Sequence, residues 1–218
     1  RGYITPQEFN LLANQAQMEI FEQYFYDENQ LTKITGNQTE YSDMIKLLNE
    51  KISMFKNGPT SLSYSSGSFS YPSNMYRLGT VFYGVSSNLL QTIEVEEIAY
   101  EELIDYVHSP LANPTTSRPV YLRREDGLKI YPTNITNGVQ ASFIRIPNKA
   151  QWGYFVLGDK ALYDGNPDKT TNFELHPSDQ TELVYKILRL SGITIQKEEI
   201  FTAGANMENA QIKQEKQI

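Results

Sequence analysis

An α+β fold is predicted for this chain by three features of its sequence. The beginning carries apolar residues at helical spacing. The middle carries short apolar runs broken by Gly, Asn and Pro. The end returns to a helical pattern and then turns polar. The expected architecture is an N-terminal helical hairpin, then an antiparallel β-sheet or small β-barrel or sandwich, with a short C-terminal helix and a polar tail. The expected segments are helical at 1–58, a Ser- and Tyr-rich arm or strands at 59–90, a mainly antiparallel β-domain with its closing helix at 91–202, and the tail at 203–218.

Each element follows from its own residues. Thr5 is placed to cap the first helix, Pro6 suits its first position, and Glu8 completes a capping box. Phe9, Leu12, Ala13, Ala16, Ile20 and Tyr24 form one stripe, which predicts a helix from Pro6 to Tyr26. Leu11, Met18, Phe21 and Phe25 lie off that stripe. One-sided packing on a small core does not need this much apolar surface. The helix therefore requires a second neighbour, from within the chain or from another copy. The stretch "DENQLTKITGNQTE" reads as a loop. Tyr41, Met44, Ile45, Leu48, Ile52 and Phe55 set a second helix from Glu40 to Lys56, stopped by Asn57-Gly58-Pro59.

The texture then changes. Leu62, Tyr64, Phe69 and Tyr71 alternate with small polar residues, as in half-exposed strands or a long ordered arm. A strand is expected at Gln91 to Glu96 and a short helix at Tyr100 to Val107. Val120 to Arg124 turns at Asp126-Gly127 into Leu128 to Tyr131, a hairpin signal. Asn137-Gly138 introduces Val139 to Ile146, and "WGYFVLG" offers a further strand. Ser178 or Asp179 caps the closing helix, whose Leu183, Val184, Ile187 and Leu188 are expected to face inward and which Gly192 ends. From Ala203 the chain reads as a tail, solvated or ordered only on a partner.

Composition excludes several classes. The 218 residues contain no cysteine, which removes disulfides, thiolate zinc sites and cysteine nucleophiles. The net charge of −7 disfavours a general nucleic-acid binder, with Arg118, Arg123 and Arg124 the nearest approach to a basic patch. No apolar run approaches the ~18 residues of a membrane span. The 15 tyrosines lean towards half-buried surfaces and interfaces. The chain starts at Arg1 without an initiator Met, so residue 1 reads as a cut.

Motifs for chemistry are sparse. There is no Walker loop, no dinucleotide fingerprint and no nucleophile elbow. His108 and His176 are the only histidines, and structural or surface roles are expected for both. Glu94, Glu96, Glu97, Glu101 and Glu102 raise a glycosidase reading, since Glu94 and Glu96 share one face of a strand. Such clusters are more often a solvated face. Asp164 to Asp168 resembles a calcium loop but lacks its spacing and closing Glu, and so reads as a tight turn. Asn37-Gln38-Thr39 and Asn134-Ile135-Thr136 match the glycosylation acceptor pattern. No catalytic, metal or cofactor residue is assigned, and an enzyme is not expected.

The opening "RGYITPQEFNLLANQAQMEIFEQYF" resembles, through Gly2, Tyr3, Thr5, Pro6, Glu8, Phe9, Asn10, Ala16 and Gln17, virion structural proteins of tailed phages. The resemblance is notably to crAss-like and related phages that infect Bacteroidota. "PVYLRREDGLKIYP" and "FELHPSDQTELVYKILRLSGI" are similar to the strand and closing helix of the same proteins. The resemblance implies a head–tail connector or tail-barrel ring protein in the phage neck or tail, made in the host cytoplasm. It implies a cyclic homo-oligomer, of about twelve copies under portal-like symmetry. Its partners would be the portal and other neck or tail proteins. Double-stranded genomic DNA would pass through the lumen without specific binding, with no membrane and no cofactor involved. Phe9, Leu12, Ile20, Phe21 and Phe25 of the first helix and Tyr64, Phe69 and Tyr71 of the arm are then the expected subunit-interface residues. The alternative is a carbohydrate- or receptor-binding β-module of a phage tail, with Trp152, Tyr154 and Tyr163 stacking on sugars. A third reading is a hydrolase using Glu94 or Glu96.

Overall fold

The structure is a computed structural model, and it describes residues 3–33, 39–84, 92–158, 160–195 and 198–216. Gly2, Asn37, Gln38 and Gln91, invoked above, lie outside the described residues. The fold is mixed α+β. The chain divides into two compact units, one made of 1–54 with 147–218 and the other of 55–146.

The first unit is mainly helical. Helix α1 spans Pro6–Lys33. Its capping box is formed: the Glu8 carboxylate accepts from the Thr5 backbone N–H at 2.8 Å, and Thr5 Oγ1 accepts from the Glu8 N–H at 3.3 Å. The helix overruns its expected end at Tyr26 into the expected loop. Residues 27–33 hold neither Gly nor Pro, and Gln23 donates to Asp27 one turn on at 2.9 Å. Helix α2 spans Thr39–Ser53, ending three residues before Lys56. Strands β9 (Tyr154–Leu157) and β10 (Lys160–Tyr163) form an isolated antiparallel hairpin.

Helix α4 spans Gln180–Ile195 after a 3-10 turn at Pro177–Asp179. The turn is capped by the His176 ring, which accepts from the Ser178 N–H at 3.3 Å, in place of the expected Ser178 or Asp179 cap. Gly192 does not end α4. A Cβ there would lie 2.5 Å from the Phe201 nitrogen, and one on Gly204 would lie 2.8 Å from the Arg189 nitrogen. These two glycines let α4 press against α5, which spans Glu198–Lys216. The segment expected as a polar tail is thus helix. Of the α4 residues expected to face inward, Leu183 is buried and Ile187 half-buried, while Val184 and Leu188 are exposed.

A row of side-chain amides ties α1 to the chain returning after residue 146. Asn10 pairs both ways with the Trp152 backbone, donating at 3.3 Å and accepting at 2.8 Å. Asn14 donates to the Ala150 carbonyl and Gln17 to the Asn148 carbonyl, each at 2.8 Å. Gln17 also accepts the Glu174 N–H at 2.9 Å.

The second unit is a curled eight-stranded sheet. In chain order the strands are β1 (Lys56–Ser61), β2 (Tyr64–Ser65), β3 (Ser68–Phe69), β4 (Met75–Tyr83), β5 (Ile93–Glu97), β6 (Val120–Arg123), β7 (Leu128–Tyr131) and β8 (Val139–Arg145). Their order across the sheet is β1-β8-β4-β5-β6-β7-β3-β2. Much of the 59–90 segment expected as strands or an arm is therefore sheet, with 85–91 outside the described residues. One pair departs from the antiparallel expectation. β5 and β6 run parallel, joined by a crossover that carries α3 (Leu103–His108).

Along β8 the pleat alternates: Val139, Ala141 and Phe143 are buried, and the residues between them are half-buried. A register shift between Leu78 and Val81 sets Gly79 and Thr80 against Ser142, whose hydroxyl accepts the Thr80 N–H at 2.9 Å. Such bulges sharpen twist and curl the sheet. One core joins Phe69, Val81, Val95, Tyr121, Leu128 and Val139, among others. A second, smaller cluster packs Ile98, Val120 and Leu122 with Leu103 and Tyr106 of the α3 region.

Gly192→Ala is expected to destabilise the helical unit by about 1–3 kcal/mol, because the added methyl meets backbone and not a yielding side chain. Thermal unfolding of the full chain, followed at 222 nm, checks this. An unchanged melting temperature would contradict the close approach.

Candidate interaction surface

The expected interface residues split into two groups. Ile20 and Phe21 have 0% of their surface exposed, and Leu12 and Phe25 are also buried. The chain's own atoms cover these four side chains, so they offer nothing to a neighbouring subunit. The second neighbour that α1 required lies within the chain, since α1 packs on both α2 and α4. Phe9 is half-buried with its ring edge-on to Trp152. In the β unit Phe69 is buried in the core, Tyr71 packs on that core, and Tyr64 is exposed. Only Tyr64 of the eight is freely accessible.

Accessible apolar surface lies instead on the segment where the alternative reading placed Trp152, Tyr154 and Tyr163. The β9–β10 hairpin pairs Tyr154 with Tyr163, Phe155 with Leu162, Val156 with Ala161 and Leu157 with Lys160. Directly paired residues share a face. One face therefore carries Phe155, Leu157 and Leu162, and the other Val156, Tyr154 and Tyr163. Val156 and Leu157, on opposite faces, are 64% and 66% exposed. The missed signal was in the sequence: "YFVL" and "ALY" are apolar at consecutive positions, which marks a strand built to be covered on both faces. The helices add exposed Leu11, Val184 and Ile193.

Two buried charge clusters hold the helical unit. Asp179, 1% exposed, accepts from the Tyr24 hydroxyl, from Lys51 Nζ at 2.6 Å and from the Ser178 hydroxyl at 3.0 Å. It therefore joins α1, α2 and the start of α4. Burial, then the hydrogen bond to Asp179, push the Tyr24 hydroxyl well above its ordinary range. Glu208 of α5 accepts from Lys186 Nζ at 2.9 Å and Arg189 Nη1 at 2.8 Å, and Arg189 Nη2 reaches Glu19 of α1 at 2.9 Å. In the β unit the Tyr121 hydroxyl donates to Glu97 at 2.9 Å, and burial followed by that bond pushes it up as well.

The remaining candidates have structural explanations. Glu94 and Glu96 are exposed on the outer face of β5, beside an open groove of about 470 Å³, as expected of a solvated face. His108 bonds the Ile104 carbonyl through Nδ1 at 2.8 Å near the end of α3, and His176 caps a turn. Asp164 accepts from Lys169 at 2.8 Å and from the Asn166 N–H at 3.2 Å, a closed turn. Those two donors hold its carboxyl below the usual range, the Lys169 bond first. Among the described residues no group of three acidic or histidine side chains converges as a metal site. Likewise, no helix among them is long and apolar enough to cross a membrane. Ile135, the middle residue of one glycosylation-type triplet, is buried in the core.

Two outcomes are expected. Asp179→Ala leaves Lys51 and Tyr24 without their shared partner and costs about 3–5 kcal/mol in chemical denaturation. The pH dependence follows from Tyr24 and Tyr121. An unfolded tyrosine ionises near pH 10, while both folded ones keep their protons to higher pH. The native state therefore binds more protons there, and stability is full below pH 10 and falls as pH rises beyond it. Tyr24→Phe together with Tyr121→Phe should flatten that decline. A decline of the same slope in the double variant would show that other groups cause it.

No protein-family model matches the chain, and no curated protein is similar to it in sequence.

Proposed function

We propose that this chain is a non-enzymatic virion structural protein that assembles as a cyclic homo-oligomer in the neck or tail of a tailed phage, as a head–tail connector or tail-barrel ring. The observation that carries the reading is the β9–β10 hairpin. A two-stranded hairpin is marginal on its own in water, and this one presents large apolar side chains on both faces. Such a ribbon is suited to insertion between surfaces of other copies. Ring contacts are heterologous and need two different patches on each chain. The exposed apolar residues of α4, Val184 and Leu188, offer a second patch. The phage-like opening motif supports the same reading: Thr5 and Glu8 cap α1, and Asn10 and Gln17 anchor the segment that leads to the hairpin. In this role the protein resides in the virion and contacts the portal and other neck or tail proteins. A net charge of −7 suits a lumen that passes DNA without holding it.

One observation favours a second reading, a carbohydrate- or receptor-binding module. The Trp152 and Tyr154 rings lie 6.2 Å apart and only 33° from coplanar, and Tyr163 stands directly across the hairpin from Tyr154. That row offers a stacking platform for sugar rings.

Quantitative peptide mass spectrometry of purified virions separates the readings. Copies equal to the portal, about twelve under portal-like symmetry, are expected for a ring. A few copies, or a small multiple of three, would favour the receptor-binding module, and absence from the particle would end both. In the isolated protein, Phe155→Asp with Leu157→Asp should lower the assembly constant at least about tenfold, ~1.4 kcal/mol. Its helical circular dichroism should be unchanged. Phe21→Asp should instead unfold the helical unit, since Phe21 is covered within the chain.

A further inference from the structure

We propose that the crossover between β5 and β6, which carries α3, is a docking ridge for a second copy of this chain, received by the Lys56–Ile144–Arg77 face of that copy. The contact rests on the self-assembly reading above, but it belongs to the β unit and is separate from the hairpin. Helix α3 uses one side within the chain: Leu103 and Tyr106 pack on Ile98, Val120 and Leu122. Its outward side is apolar as well. Tyr100, Ile104 and Val107 recur at steps of four and three residues and are exposed, Ile104 by 66%. Leu111, in the turn that follows, is 89% exposed. A helix with apolar residues on two sides has one neighbour too few.

The ridge is held in shape by its own backbone. The Tyr106 N–H bonds the Glu102 carbonyl and the Ser109 N–H the Asp105 carbonyl, each at 3.0 Å. Past the helix, the Asn113 N–H bonds the Ser109 carbonyl at 3.1 Å, and the Ala112 N–H bonds the Ser109 hydroxyl at 3.2 Å. Arg118 Nη2 donates to the Leu111 carbonyl at 2.7 Å. The backbone of Leu111 is therefore pinned while its side chain stands in water. Ordering that turn is already done before any partner arrives, which lowers the cost of docking.

Charge selects the occupant. All acidic residues of the β unit other than Glu125 and Asp126 fall between Glu94 and Asp105, and no Lys or Arg lies from 78 to 117. Glu94, Glu96, Glu101 and Asp105 form no ion pair among the described residues. Such a rim repels anionic lipid headgroups and nucleic acid, and it calls for a basic partner with an apolar centre. The same unit carries that partner surface. Ile144 of β8 is paired directly with Lys56 of β1 on one side and Arg77 of β4 on the other. The adjoining Phe143 is buried and Leu78 packs on the core, so these three residues share the outer face of the sheet. Lys56 and Arg77 are exposed, and no Asp or Glu occurs from 55 to 93. Ridge and face are different patches on one chain, so their contact is heterologous, the form a ring requires.

The chain has no cysteine, so disulfide trapping reads this contact directly. Ile104→Cys and Ile144→Cys are placed together in the full chain, oxidised mildly with copper and air, and resolved on a non-reducing gel. Linked products beyond the dimer are expected from the pair, with Ile104→Cys alone remaining monomeric on the gel. On that background Glu101→Lys with Asp105→Lys should slow trapping at least about tenfold, and so should Lys56→Glu with Arg77→Glu. All four charge changes in one chain should restore it, which separates lost complementarity from lost folding. The proposal is overturned if the pair is not trapped, if Ile104→Cys alone is trapped as readily, or if the charge reversals leave the rate unchanged. Products that stop at the dimer uphold the contact and overturn the ring. A wild-type chain that sediments as a ring while the pair stays untrapped upholds the ring and overturns the contact.

Discussion

The helical unit depends on how α1 grips a chain that returns long after leaving it. Asn10, Asn14 and Gln17 sit at steps of four and three residues, so they advance about 4.5–6 Å each along the helix. Their partners Trp152, Ala150 and Asn148 are alternate residues of an extended segment, about 6.6 Å apart. The two repeats nearly match, so three consecutive amides find three backbone partners with the segment running antiparallel to the helix. The row does what a neighbouring strand does in a sheet, using side chains in place of a second backbone. It satisfies peptide groups that would otherwise be buried without partners. It also sets where the segment lies, and so where the β9–β10 hairpin begins and where Glu174 turns back onto Gln17.

Charge completes what the amides begin. A buried ion pair gains little over a well-packed apolar one, but a buried charge without a partner is expensive. Asp179 joins α1, α2 and the start of α4, while Glu208 joins α5 to α4, whose Arg189 reaches on to Glu19 of α1. Apolar side chains alone would allow α2 and α5 to slide along their neighbours. The carboxylates fix their register.

What the sequence made legible was local chemistry. The Thr5–Glu8 box, the stripes of α1 and α2, and the Asp126-Gly127 hairpin each depend on residues within a few positions of one another, and all are present. The failures share a cause. Helix α5 is polar because its buried face is charged, and hydrophobic periodicity does not register a buried glutamate such as Glu208. Gly192 looked like a helix stop because the close partner that explains it, Phe201, lies in the next helix. The parallel β5–β6 pair was hidden by treating its helical crossover as one more connection in an antiparallel run. At the candidate surface, apolar residues on a helix were taken as available to other chains when the chain itself covers them. On the hairpin, the aromatics Tyr154 and Tyr163 were read as a sugar platform, while the apolar Phe155, Val156 and Leu157 beside them went unweighed.

The two ends of the β unit meet. Lys56 in β1 pairs with Ile144 in β8, and the Arg145 N–H reaches the Phe55 carbonyl at 2.9 Å. The sheet thus enters and leaves through adjacent strands, so a single loop could replace it in the chain's path. The helical unit, by contrast, is written in two pieces, with α1 and α2 before the sheet and α4 and α5 after it. During synthesis from the N-terminus the sheet has all its strands once residue 145 has emerged. At that point α1 still lacks its amide partners and α2 its aspartate. The part of the first helix's apolar surface that α4 covers therefore waits exposed on the ribosome through the whole of the sheet's synthesis, and the helical unit closes only once α4 and α5 have emerged.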